Sequence, residues 1–172
     1  MAKREENTKT RREREDSDIE KRIISIRRVT KVVKGGRTMH FSVSMVVGNK
    51  KGKVGIGSGK AGDTTVAIEK AYQNAKKNMV SVPVVGTTIP HEIKGKFGKS
   101  TVYLMPAKEG SGVIAGGAVR AVVDLAGIQD IVSKTYGARN KINVIQATLD
   151  GLTHLRTREQ IAALRGKNPD EI

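Results

Sequence analysis

Apolar and polar side chains alternate between Arg22 and Gly59: Ile24 and Ile26 first, then Met39, Phe41, Val43, Met45 and Val47, set against His40, Ser42 and Ser44. A period of two puts neighbouring residues on opposite faces of a strand. Val54 and Ile56 continue the pattern among glycines. Three strands are predicted, joined by turns at Lys34-Gly35-Gly36-Arg37 and from Gly48 to Gly52, where Gly and Asn tolerate positive φ. The period then changes. Behind Asp63, a good N-cap, come Ile68, Ala71, Tyr72, Ala75 and Met79, spaced as one helical stripe, with Lys70, Gln73, Lys76 and Lys77 on the other face. A short helix or strand is expected around Ile19–Ile23.

Pro83 and Gly86 mark a boundary, and a second pattern follows. Thr87–Lys94 and Lys99–Met105 predict a hairpin around Gly95-Lys96-Phe97-Gly98. A glycine-rich loop from Glu109 to Gly117 leads into a helix from about Ala118 to Ala126, stopped by Gly127. Asp130–Thr135 reads as a strand. Asn140 caps a helix carrying Ile142, Ile145, Leu149 and Leu152, and Thr157-Arg158-Glu159-Gln160 is a capping-box signature for a last helix ending at Gly166. The fold class is α+β in two domains, 19–82 and 83–166. They are flanked by a tail, 1–18, too poor in large apolar groups to order itself, and a flexible end, 167–172. There is no internal repeat.

Charge sharpens this division. The chain has 172 residues and a formal net charge of +15, unevenly spread. Residues 1–18 carry six basic and six acidic groups; residues 19–82 carry 14 basic and three acidic, net +11; residues 83–172 carry 12 and eight, net +4. Cations on short glycine-rich turns of a rigid sheet suit a dense polyanion, so nucleic acid is the expected partner. The candidate contacts are Arg27, Arg28, Lys31, Lys34, Gly35, Gly36 and Arg37 around the first turn, Lys50, Lys51 and Lys53 on the second, Lys60, and Lys76 and Lys77 on the helix. The two basic turns are expected to converge, and their glycines to let backbone approach the ligand. With five aromatic residues and no tryptophan, recognition of paired RNA by shape fits better than an aromatic platform for single strands.

Other chemistries find less support. Gly57-Ser58-Gly59-Lys60-Ala61-Gly62 matches G-x-G-x-x-G, but no Asp or Glu follows between Glu69 and Glu92 to hold a ribose, and Ala61 stands where a Walker loop needs Ser or Thr. Close backbone packing of a helix is the better account. His40, His91 and His154 are isolated, no carboxylate pair is implied, and there is no cysteine. No enzyme, metal, cofactor or small-molecule substrate is expected. No apolar run approaches a membrane span, and the start of the chain lacks the character of a signal or transit peptide, which makes the cytoplasm the expected location.

The run Arg28-Val29-Thr30-Lys31-Val32-Val33-Lys34-Gly35-Gly36-Arg37 resembles the family of bacterial small-subunit ribosomal protein number five. So do Phe41, Val46-Val47-Gly48-Asn49, Gly52 through Ala61, Glu109 through Gly117, Tyr136-Gly137 and Asn143-Val144. The resemblance covers about Ile23 to Gly166. It implies an N-terminal double-stranded-RNA-binding-like domain and a C-terminal domain like the fourth domain of elongation factor G. It also implies a place in the small ribosomal subunit against ribosomal RNA, with the basic hairpin on RNA of the head near the spectinomycin site. Gly110, Gly112, Gly116, Gly117 and Arg120 would lie towards small-subunit protein number four, with protein number eight another neighbour. The family lines the messenger RNA entry path and affects decoding accuracy. The residues alone stop at a phosphate-binding α+β protein. They leave open a free-standing double-stranded-RNA regulator and, less well supported, a nucleotide-dependent enzyme.

Overall fold

The computed structural model describes residues 19–168 and Glu171. The expected tail, 1–18, lies outside the described residues, as does part of the expected flexible end. The alternating segment folds as an antiparallel meander of β1 (Glu20–Val33), β2 (Gly36–Gly48) and β3 (Lys53–Ala61). The helix α1 (Thr64–Lys77) follows, and then a strand that the sequence pattern does not predict, β4 (Met79–Ser81), which pairs with β3. The helix is therefore shorter than its apolar stripe implies. Asn78 (φ −103°, ψ 30°) ends it, and Met79 sits opposite Gly55. Three residues are too few to display a period of two.

A bulge between Ile23 and Ser25 breaks the first alternation. Ile26 lies opposite Val43, on the α1 side, whereas Ile24 packs into the core of the second half. The two isoleucines do not share a face, contrary to the simple reading.

Helix α1 lies against Val43, Met45 and Val47 through Ala67, Ala71 and Ala75. Those alanines, four apart, sit over Gly59, Gly57 and Gly55, two apart. A Cβ added to these glycines would fall 2.3 Å from Ala67 O, 2.2 Å from Ala71 O and 2.3 Å from Ala75 O. Four helical residues rise about 6 Å and two strand residues about 6.6 Å, so the two ladders keep step where they touch. The glycines serve backbone packing, as the sequence suggested in place of a nucleotide loop. Asp63 holds the N-cap position, but its side chain makes no capping hydrogen bond.

The second half forms another four-stranded sheet, ordered β5 (Ile93–Phe97), β6 (Ser100–Pro106), β8 (Ile131–Gly137) and β7 (Val113–Ile114), with β7 parallel to β8. The predicted hairpin is present, but its turn lies at Gly98-Lys99, and Thr87–Glu92 precede the strand. Gly95 belongs to β5 because α3 (Lys141–Thr153) crosses it: a Cβ there would meet Ala147 O at 2.0 Å. Strand β7 falls within the segment read as loop. The helix α2 (Gly117–Ala126) ends at Gly127 with φ 89°. Asn140 accepts a hydrogen bond from the Ile142 amide of α3 (3.3 Å), and Thr157 and Gln160 form the predicted capping box of α4 (Arg158–Arg165).

From Val43 to Gly48, strand β2 is buried on both faces. Its α1 side carries the small core above; its other side contributes Val46, which joins Val54 and Ile56 of β3 in a core with Val122, Leu125, Ile128 and Leu152 of the second half.

Replacing Gly57 with alanine should lower the unfolding free energy in urea by about 1–3 kcal/mol or more, the usual range for overpacking. Gly62→Ala, at a position with nothing within 4 Å and no left-handed φ, should stay near wild type.

Candidate nucleic-acid interface

Strand β1 pairs with β2 as far as Val33 opposite Gly36, whereas β3 pairs with β2 only from Phe41 onward. Val29–Val33 and Gly36–His40 therefore leave the sheet as a two-stranded arm. Lys31, Lys34 and Arg37 lie on it and Arg27 and Arg28 at its base, all exposed. No Asp or Glu occurs from residue 21 to residue 62, so the arm's own two strand segments carry no carboxylate. Gly36 (φ 137°) turns the tip, and a Cβ built on either tip glycine would meet nothing within 4 Å. Backbone there is open to a ligand.

Where β3 ends and α1 begins, the base of the arm borders a cleft of about 580 Å3, lined in part by Lys31, His40, Lys60 and Lys70, with Asp63 its acidic member. Lys60 lies opposite Ser42, which lies opposite Arg27, a row across three strands on the face away from α1. A second groove runs from Lys60 past Lys70 to Lys77 along the polar side of the helix. Lys77 stands in the last turn of α1, where a cation is favoured by the helix dipole. Lys76 is only half-exposed and has a partner within the protein. Sequence reasoning put Lys70 on the polar face without counting it in the site, and passed over His40. Only the register of β2 and the step at the end of β3 bring these two beside Lys31 and Lys60.

The second basic turn is elsewhere. Successive turns of a meander fall at opposite ends of their shared strand, and the 13 residues of β2 span about 40 Å. The expected convergence of the turns is thus incorrect, because the chain between them is a single extended strand. The Lys50 and Gly52 amides donate to Leu125 O (3.0 Å) and Ala126 O (2.9 Å), satisfying carbonyls at the end of α2. Asn49 Oδ1 accepts from the Lys51 and Lys53 amides (2.9 and 3.0 Å), Lys50 adopts a left-handed φ of 52°, and its ammonium pairs with Glu20. Lys51 is not without a partner either. This turn joins the two halves. Lys53 and the side chain of Lys51 remain exposed beside it.

The glycine loop before α2 already holds an anion. Buried Asp130 accepts the Gly112 amide at 2.8 Å, and its own amide donates to Thr87 O at 3.0 Å. Its carboxyl is held below the ordinary carboxylate value, first by the Gly112 amide, then by the facing Thr87 hydroxyl and the Gly110 and Ser111 amides, against the opposing effect of burial. Asp124 also has a defined task, an ion pair with Arg22 at 2.8 Å that crosses between the halves. Both look like ordinary helix-end carboxylates in the sequence. Gly110, Gly116, Gly117 and Arg120 are exposed along this segment and Gly112 is half-buried, with the Arg120 guanidinium donating to Val113 O at 2.6 Å. Among the described residues, no group of three or more His, Asp or Glu is placed to hold a metal ion.

An acid-free basic arm, a cationic cleft at its base and a sheet rigidly backed on both sides define a nucleic-acid-binding protein of the α+β class. The chain matches the family model for ribosomal protein S5, N-terminal domain, over residues 19–83, and that for ribosomal protein S5, C-terminal domain, over residues 95–165. The chain belongs to the ribosomal protein S5 family. It is a structural, non-enzymatic component of the small subunit of the cytoplasmic ribosome, binding ribosomal RNA and other ribosomal proteins. The readings as a nucleotide-dependent enzyme and as a free-standing regulator are set aside by this membership.

A carboxylate stabilised in its charged form contributes fully above its unfolded pKa and loses that contribution as pH falls through its lower folded value. Asp130 should therefore stabilise the second half at neutral pH and lose that contribution progressively as pH falls from the ordinary 3.8 through its lower folded value. Asp130→Asn should remove this acid-side component from the pH–stability curve and accelerate hydrogen exchange at the Gly112 amide.

Proposed function

We propose that the β1–β2 arm and the cleft at its base form the principal ribosomal-RNA interface, with Arg27, Arg28, Lys31, Lys34, Arg37 and Lys60 meeting phosphates. Lys70 and His40 complete the cleft, and Gly35 and Gly36 admit RNA backbone at the tip. The observation that carries this reading is the 42-residue stretch, 21–62, without a single carboxylate, whose cations on and at the base of the arm are exposed. Lys76 and Lys77 extend the interface along α1, while Lys50, Lys51 and Lys53 act chiefly where the two halves join and touch RNA only at its edge.

The Gly110–Arg120 segment, exposed and fastened from behind by Asp130, is the surface for neighbouring small-subunit proteins. The family resemblance points to proteins number four and number eight as those neighbours. It also supports a role in subunit assembly, a position on the messenger RNA entry path and an influence on decoding accuracy. A wedge of fixed shape between RNA and two proteins could transmit such an influence without any chemistry of its own. The domains are assigned as 19–82 and 83–166.

With about 6–10 phosphates neutralised, affinity for small-subunit RNA should fall by roughly 10³–10⁵ between 50 and 200 mM salt. Lys34→Glu with Arg37→Glu should weaken binding and reduce the slope of log K against log salt by about two, near 0.9 for each phosphate left without its cation. The same reversal at Arg165 and Lys167 should leave the slope unchanged; equal effects at both places would show that the arm does not meet the RNA.

A further inference from the structure

The second sheet has one face covered by α3 and one open face. On the open face Lys94 lies opposite Tyr103, which lies opposite Lys134; in the next row Lys96 lies opposite Thr101, which lies opposite Tyr136. Met105 completes the patch beside Val132. Tyr136 is 54% exposed, and Tyr103 and Met105 are each 37% exposed. The two rings meet edge to face, with centroids 5.3 Å apart and planes at 82°, and the Lys94 ammonium stands over the Tyr103 ring at 5.0 Å. Tyr103, Tyr136 and Met105 line a shallow cleft of about 320 Å3 with Lys94, Lys134 and Thr101.

We infer that this face binds an unpaired segment of RNA, stacking bases on Tyr103 and Tyr136 while Lys94, Lys96 and Lys134 hold the flanking phosphates. The inference rests on the ribosomal-RNA binding established above but concerns a different face from the arm, unpaired rather than paired RNA, and stacking rather than charge alone. Three lysines and no carboxylate on the three strands' outward positions make the patch complementary to a polyanion. Aromatic rings on an open sheet are the usual platform for single-stranded bases, whose π-faces become available when they leave a helix. Lys94 is already held over an aromatic face by cation–π attraction. An arriving base would take its place on the ring and the ammonium would turn to the adjoining phosphate, so the cation is not stranded. A protein partner fits less well, because lysine is depleted from protein interfaces and here three lysines flank the rings on the neighbouring strands.

The test uses the full chain with Tyr72→Phe as background. The chain has three tyrosines and no tryptophan, so intrinsic fluorescence then reports on Tyr103 and Tyr136 alone. The probes are a mixed-sequence single-stranded RNA dodecamer, a duplex of the same length, and heparin as a polyanion without bases. The dodecamer should quench tyrosine fluorescence saturably, and heparin should not. Tyr103→Ala with Tyr136→Ala should lower dodecamer affinity roughly tenfold or more while duplex affinity changes less than about twofold. Tyr103→Phe with Tyr136→Phe, measured by affinity, should bind as wild type. It separates stacking from hydroxyl hydrogen bonds and guards against a misfolded alanine variant. Three results would overturn the inference: unchanged dodecamer affinity in the alanine variant, equal quenching by heparin, or RNA binding that survives while binding to purified small-subunit proteins disappears. Unchanged duplex and ribosomal-RNA affinity in Lys34→Glu with Arg37→Glu would instead count against the arm.

Discussion

Strand β2 has no solvent face over its last six residues, and this two-sided burial sets the rest of the molecule. Val43, Met45 and Val47 take α1, and Val46 takes the second half. At about 25 cal/mol per Å2 of apolar surface, fully burying such side chains is worth roughly 1.5–3 kcal/mol each, so neither neighbour can leave without exposing several of them. A strand fixed so firmly at one end can project a narrow two-stranded arm at the other. The arm itself has little to bury: Val32 is 75% exposed. Its direction is imposed by the covered part of the sheet.

The same constraint decides the work of the cations. Lys50 lies at the buried end, where the turn amides satisfy the last carbonyls of α2 and its ammonium meets Glu20. Lys31, Lys34 and Arg37 lie at the free end, on strand segments that carry no carboxylate of their own. Charges of one sign held close together repel, and the compact state tolerates them best where solvent screens them or where a polyanion replaces the missing counter-charge. The distribution along β2 separates cations engaged in assembling the protein from cations left exposed on the arm. Asp130 and Asp124 show the complementary use of carboxylates, both engaged inside the protein at joints that hold its shape.

Much of the fold was legible because local rules agreed with the final structure. The alternation from Met39 to Val47, the Gly127 stop, the Asn140 cap and the Thr157–Gln160 box all depend on neighbours within a few residues. The misreadings share a cause as well. Strands β4 and β7 have three and two residues, too short for periodicity, and exist only because β3 and β8 offer them an edge. The bulge at Ile24 is invisible to a strict period of two. His40 and Lys70 joined the candidate site through the register of β2 and the end of β3, information carried by pairing rather than by spacing.

By itself, the sequence determined that this is a basic α+β protein with its positive charge concentrated in the front half, since charge sign, turn glycines and side-chain period are written residue by residue. The family resemblance was carried by ordered motifs and needed no coordinates. Tertiary structure alone decided that the two basic turns stand at opposite ends of one strand, that the loop at Gly112 closes on Asp130, and that Tyr103 and Tyr136 share an open face. Each of these depends on which segments lie side by side, and the pairing of residues distant in the chain is set by the competition of all faces for burial, which no local pattern encodes.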